Sequence, residues 1–362
     1  MKTFHPAMKA SISTCLSLLL CLGAGSLYSQ SAETNPVGFN TVTCLPNSDT
    51  ICGVPFARPA VFQGVVVSTQ AGTGTLTITP DGTPGWTENA FQTLYMVRII
   101  SGAKAGMYYE VSANAVGDVT VNLAGDTATG INPGDSFRIH PFWTLSTLFP
   151  PGNQNTIVES LSTAPAGRRT QILLPDVNGV GFNLAPLQTF FLVTGGAGWK
   201  ATGGVDATNE ILFPDTYFIV RHNHATITNS TTFTPVGSVE LNDIVTPLAT
   251  RSAGAQDNFV SSGRPIPVKL SDLDLLSSGA FVQSLSLSPG GRRDLLLVFD
   301  NSVSGINKAP AVTCFANGGN WYVIDSTGTN LNNDYEIKPS HGVIIRKYAN
   351  AGSVTSYWKN SF

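Results

Sequence analysis

Charge is scarce in this sequence. Lys, Arg, Asp and Glu make up 12% of its 362 residues, about half the usual quarter. Acids outnumber bases 23 to 20. Affinity for nucleic acid comes mainly from Lys and Arg neutralising phosphates, so no nucleic-acid partner is expected. Histidine is rarer still, with five in the whole chain, and neither a metal nor a cofactor is expected. Long amphipathic helical patterns are missing. So is the Gly-x-Ser-x-Gly turn of α/β-hydrolases and the His-Glu-x-x-His of zinc proteases. Asp325–Glu336 has the length of a calcium loop, but Thr stands where such loops want Asp or Asn, and Leu331 breaks the polar run. Glycosidase carboxylates carry no local spacing, and 23 acids allow too many pairings to name one.

What the chain does have is turn chemistry and short apolar runs. It carries 36 Gly and 22 Pro, and 42% of it is apolar, a composition that can bury a core. Phe62–Ser68, Gly74–Thr79, Tyr95–Ser101, Met107–Ser112, Val119–Leu123 and Ser136–His140 read as strands. In Thr75-Leu-Thr-Ile-Thr79 every second residue is apolar, the period of a half-buried strand. Further strands are expected at 169–174, 189–194, 210–213 and 217–221, and again at 294–299, 311–315, 321–324, 335–338 and 343–348. One short helix is expected at Asp272–Ser277, with Ser271 as N-cap.

The later strands echo the earlier ones. Gly-Arg-Arg at 167–169 returns at 291–293, and Asp176 returns as Asp300, a shift of 124 residues. Ser160-Leu-Ser162 matches Ser284-Leu-Ser286, Asn183 matches Asn307, and Ile219-Val-Arg221 matches Ile344-Ile-Arg346. Upstream, Asn35-Pro-Val-Gly38 resembles Thr234-Pro-Val-Gly237. The expected fold is therefore all-β, with two related sandwich- or barrel-like repeat units, the first interrupted by a small barrel-like insert. The expected divisions are a signal at 1–31, a first unit at 32–59 plus 143–222, an insert at 60–142, a second unit at 234–347 and a tail at 348–362.

The N-terminus reads as a secretory signal: Lys2 and Lys9, then an apolar Ile12–Leu22, then small residues at Gly23–Ser26. That apolar run is shorter than the ~20 residues of a membrane helix, so no transmembrane helix is expected once the signal is removed. Loss of residues 1–31 removes two lysines and no acid, taking the net charge from −3 to −5. The expected location is the periplasm, the cell surface or the exterior.

Cys44 and Cys52 flank a Pro-Asn-Ser-Asp turn. A hairpin there would bring the sulfurs together on facing strands, and an oxidising compartment favours a disulfide. Cys314 lies in an apolar strand-like run and reads as a buried inert thiol. Four arginines in the doubled Gly-Arg-Arg motif, Arg168, Arg169, Arg292 and Arg293, could grip acidic groups of a ligand. Their duplication favours a scaffold role. Trp199 and Trp321 sit at matching positions and are expected in cores, which leaves Trp86 as the candidate for an exposed ring that stacks on a sugar. His222-Asn-His224 could present two metal ligands, but Lys347 and Ala349 stand at the matching positions, and a solvated strand end is the preferred reading.

Asn35–Phe39, Ser48–Thr50, Val54–Pro59, Ser101–Lys104, Gly134–Ile139 and Trp143–Leu145 together resemble a paralogous family of secreted proteins of unknown function from Verrucomicrobia-type bacteria. The resemblance spans nearly the whole mature length. Its motifs are turn and packing residues, so it implies kinship without chemistry. The expected role is non-catalytic, in structure or adhesion, with a glycan or a protein as partner. The alternatives are a glycan-binding or glycan-cleaving protein and, after it, an outer-membrane barrel.

Overall fold

The computed structural model describes residues 36–352 and 354–361; the expected signal lies outside the described residues. The fold is all-β. Among the described residues the one α-helix is a single turn, Leu145–Leu148, capped by Thr144 through a capping box with Thr147. The helix expected at Asp272–Ser277 does not form. A 3₁₀ turn covers Leu270–Asp272 instead, and Asp274 takes a left-handed φ of 56°, which an α-helix of L-residues does not admit.

All six strands foreseen between residues 62 and 141 are present and close on themselves. In barrel order they are Ser136–Pro141, Phe62–Ala71, Thr75–Pro80, Val119–Asn122, Tyr108–Asn114 and Tyr95–Ile99, every pair antiparallel. Alternation explains the closure. Leu76, Ile78, Val97, Ile99, Val111, Val119, Val121 and Phe137 point inward and are fully buried, while the threonines of Thr75–Pro80 face out. Closure leaves no free edge, and breaks in register at Val66/Ser68 and Val111/Ala113 bend the wall.

Flanking the barrel are two larger sheets. One runs in the order Gly198–Ala201, Gln188–Val193, Thr170–Leu174, Phe218–His222, Ser48–Cys52. The other runs Asn320–Asp325, Val312–Asn317, Leu295–Val298, Gly342–Lys347, Gln256–Ser261, with an extra outer strand at Gly328–Leu331. Strand for strand, the two orders match. The small ladders match as well. Trp143–Thr144 pairs with Ile211–Leu212, and Val268–Lys269 pairs with Glu336–Ile337. Val42–Cys44 pairs with Thr231–Phe233, and Ile244–Leu248 pairs with Ser356–Asn360. The last of these lies in the segment expected as a tail. It is an integral strand that seats Trp358 in the core of the second half.

Each sheet covers its own core on one face. Trp199, Phe149, Phe190 and Phe218 fill the first; Trp321, Phe281, Leu296 and Trp358 fill the second. Both of the expected core tryptophans are thus buried, and Trp199 donates its indole N–H to the carbonyl of Phe149 at 3.1 Å. The opposite faces meet each other through Ile51, Tyr217, Phe259, Leu297, Phe299 and Ile344. Burial on both faces is why these strands read as continuous apolar runs, such as Leu295-Leu-Leu-Val298, with no alternation.

Across that junction, residues at matching positions meet. Gly38 pairs with Gly237. Asn183 and Asn307 both adopt left-handed φ, 64° and 55°, and the Asn183 side chain donates to the Asn307 carbonyl at 2.7 Å. Asp49 takes a bidentate bond from Arg221 at 2.6 and 2.7 Å and a backbone N–H from Asn307 at 2.8 Å. Asp257 takes the equivalent bonds from Arg346 at 2.7 and 2.9 Å and from Gly181 at 2.6 Å. Each half thereby anchors a loop of the other. Asn301 adds an amide clamp, accepting from Ile51 N and donating to Ile51 O, both at 3.0 Å. Gly342 is required here, because a Cβ would lie 2.4 Å from the Tyr217 side chain.

Candidate functional site

The sequence-derived candidates do not converge. Arg168 lies over the Phe191 ring at 4.5 Å and donates to the Thr163 carbonyl; Arg292 lies over Phe315 at 4.8 Å and donates to the Leu287 carbonyl. Arg169 donates to the Glu159 carbonyl, and Arg293 lies over Tyr348 at 4.3 Å. The backbone N–H groups of Arg169 and Arg293 each bond a serine hydroxyl, Ser160 and Ser284, at 3.1 Å. These are scaffold contacts, made through ring faces and backbone carbonyls.

Trp86 is not a free ring on a loop tip. It is half-buried, edge-on to Phe62 at 4.9 Å and Phe91 at 5.3 Å, and packs against the barrel core. His222 is a second departure from expectation. Rather than ending a strand in solvent, it is fully buried between the hydroxyls of Thr170 at 2.9 Å and Thr231 at 2.8 Å. Burial holds its pKa down at about 4, so the ring is neutral. His224 bonds Thr226 instead, and among the described residues no group of three His, Cys, Asp or Glu could hold a metal ion.

Cys44 and Cys52 are both fully buried in the first core, and both are free thiols. The expected hairpin is absent, because their strands belong to different ladders: Val42–Cys44 pairs with Thr231–Phe233, and Ser48–Cys52 with Phe218–His222. The sulfurs nevertheless meet. The Cys52 thiol hydrogen-bonds Cys44 and holds the Cys44 pKa down, while burial pushes Cys52 well up. Cys314 is a buried thiol, pushed by burial up to about 12, as its apolar surroundings led us to expect.

The site with room for a ligand was not visible in any motif. A cleft of about 480 Å³ opens where the barrel meets both halves. The barrel contributes Tyr108, Tyr109 and Glu110 from one strand and Asn122–Asp126 from a turn. The first half contributes Phe213 and Asp215. The second contributes Val245, Pro247, Thr355 and Tyr357. Asp126 is the hub of one wall. Its carboxylate accepts from Lys104 at 2.6 and 2.7 Å, from the Tyr109 hydroxyl at 2.7 Å and from Thr127 N at 2.7 Å. Partial burial pushes the Asp126 pKa up, but the bonds from Lys104 and Tyr109 outweigh it and hold the group below the carboxylate range. Asp215 behaves in the opposite way. It accepts from the Tyr108 hydroxyl at 2.8 Å, yet burial dominates and raises its pKa.

Behind the cleft lies a buried polar seam. Glu240 stands 3.8 Å from Arg98 and 3.9 Å from Arg138, two barrel residues. Arg264 donates to the carbonyls of Glu240, Asn242 and Asn360. His140 bonds the Arg58 carbonyl at 2.8 Å and is held at about 4 by burial. The two ion pairs of Glu240 tie the barrel to the second half. No signal in the sequence could have found this site, because its walls come from five separated segments.

The fold and cleft define an all-β protein with a filled six-stranded barrel set against two matching sheets. No family model matches the chain, and no curated protein and no solved structure matches it.

Proposed function

We propose that the protein is an exported, non-catalytic β-protein that works by adhesion or binding at the cell envelope or outside the cell. The observation that carries this reading is the cleft, an opening whose carboxylates already serve as acceptors within its walls. Asp126 is engaged by Lys104, Tyr109 and Thr127, and Asp215 by Tyr108 and Thr216. Such groups hold the shape of the opening, and they are poorly placed to shuttle a proton. Kinship with the secreted family that the chain resembles belongs to this proposal, as do the signal at 1–31 and a duplicated β-unit interrupted by the barrel. The matched strand orders and the Gly38–Gly237 and Asn183–Asn307 contacts support the duplication.

Glycan cleavage is the second reading, favoured by one observation. The pKa values of Asp126 and Asp215 are pushed apart within one cleft, as in acid–base pairs. An outer-membrane barrel gains less support, since such barrels are apolar outside and polar within, whereas this barrel is packed with apolar side chains inside. No helix among the described residues is long and apolar enough to cross a membrane. Fractionation of producing cells, with N-terminal sequencing of the recovered chain, tests the export. The expected product begins just after residues 26–32. A cytoplasmic chain that keeps Met1 overturns the reading.

A further inference from the structure

We infer that the cleft where the barrel meets both halves is a saccharide subsite, taking a neutral or amino-bearing pyranose ring. The inference rests on the binding reading above and gives that site its ligand class.

Two partly exposed rings come first. Phe213 is 42% exposed and Tyr357 is 39% exposed, and both line the cleft. Most large aromatics among the described residues are buried in the cores. An exposed aromatic face suits the C–H face of a sugar, which is apolar on its flat side and polar at its edge. The edge partners are present as well. Glu110 and Asn122 line the same cleft, and a carboxylate or an amide bonds the hydroxyls of a sugar.

Charge narrows the class. The cleft is lined by three acids, Glu110, Asp126 and Asp215, and by no Lys or Arg. Lys104 touches its wall but is committed to both oxygens of Asp126. Lys104 offsets Asp126, so a phosphate, sulfate or uronate would meet the acids that remain, Glu110 and Asp215, whereas hydroxyls and an ammonium group would not be repelled by them. A volume near 480 Å³ falls within the range of small-molecule sites, about 300–1,000 Å³. The walls are stiff, because the Tyr109 and Tyr108 hydroxyls are tied to Asp126 and Asp215 at 2.7 and 2.8 Å. Little ordering is needed on binding. The barrel supplies one whole wall, so the interruption of the first half creates the site.

The test is titration calorimetry of the full mature chain with four probes: cellotetraose, chitotetraose, chitosan tetramer and, as an anionic control, tetragalacturonate. At least one of the first three should bind, and the control should not. Phe213→Ala and Tyr357→Ala should each weaken that binding at least tenfold. Their melting temperatures should stay near that of the parent, because both rings are exposed. The inference is overturned if none of the three probes binds, if the control binds best, or if binding survives both substitutions. Release of shorter sugars from a bound probe would overturn the non-catalytic reading and leave the subsite standing. A cytoplasmic location would overturn export and leave the calorimetry untouched.

Discussion

Lys347 donates to the carboxylate of Asp294 with both side chains out of water, at the position where the first half places His222 against Thr170. The shifts of 125 and 124 residues identify the pairs as counterparts. A neutral hydrogen bond in one half is thus an ion pair in the other. Asp294 also accepts from Val282 N at 2.8 Å and Tyr348 N at 2.7 Å, and Lys347 also donates to the Ala280 carbonyl. Removing one partner of such a pair leaves the other buried and uncompensated, which costs about 3–5 kcal/mol. Asp294→Ala and Lys347→Ala should each show that loss in urea denaturation. Asp294→Thr with Lys347→His, which installs the arrangement of the first half, should cost much less than the two single losses combined.

The crossed loops lead to a second expectation. Asp49 and Asp257 are almost fully buried, and each binds an arginine of its own sheet and a backbone N–H of the other half. Arg221 and Arg346 keep some exposure, with 19% and 25% of their side chains accessible, so water softens the loss of the anion. Asp49→Ala and Asp257→Ala should each lower stability by about 2–3 kcal/mol. Asp176→Ala, whose carboxylate only accepts from Asn178 N in an exposed turn, should change stability by less than about 1 kcal/mol. Equal losses in all three variants would mean that the crossing bonds carry no special weight.

How far the sequence reveals this molecule depends on the range of the interaction. Barrel strands such as Thr75–Pro80 announce themselves by alternation within five residues, and the match of 167–176 to 291–300 locates the paired sheets. Trp199 and Trp321 follow from the same pairing. Short ladders escape such reading. Val42–Cys44 and Ser356–Asn360 are strands only because partners about 190 and 110 residues away supply their hydrogen bonds. Trp86 illustrates a different failure. Its Pro-Gly context correctly marks a turn, but whether a turn faces water or folds over a barrel end is decided by Phe62 and Phe91. The cleft was hidden for the same reason, since Tyr109, Phe213 and Tyr357 become neighbours only after the barrel docks.

The two fully buried histidines impose a pH dependence. His140 and His222 have folded pKa values of about 4, below the ~6.5 of an unfolded chain. Between those values the unfolded chain binds protons that the folded chain refuses. Stability is therefore full above pH ~6.5, falls as the pH drops through that value and levels off near 4. Each ring accounts for up to about 3 kcal/mol. Urea midpoints at pH 7, 5.5 and 4.5 should fall steadily for the parent. His222→Gln should start lower at pH 7, having lost its two threonine bonds, but should decline less steeply. An unchanged slope in that variant would show that His222 is not among the groups that resist protonation.

The cysteines give the sharpest chemical expectation. Cys44 and Cys52 meet as thiols in one core, and the Cys44 thiol is the more acidic because Cys52 bonds it. Thiolate is the reactive form in exchange with a disulfide oxidant: one of the two thiolates should attack oxidised glutathione and release one glutathione, and the other should then displace the second and close the pair. Both are shut away from solvent in the fold, which places the reaction during folding or transient opening rather than in the native state. The chain from residue 32 onward, refolded with oxidised glutathione, should then be lighter by two hydrogens than its reduced form, with Cys44 and Cys52 in one linked peptide and Cys314 free. The cross-link should raise stability by about 2–3 kcal/mol, and Cys44→Ser should abolish both the mass change and the gain. Recovery of a mixed disulfide at Cys314 in place of the linked peptide would refute the assignment, since the fold places Cys314 in the second core, apart from the two sulfurs of the first.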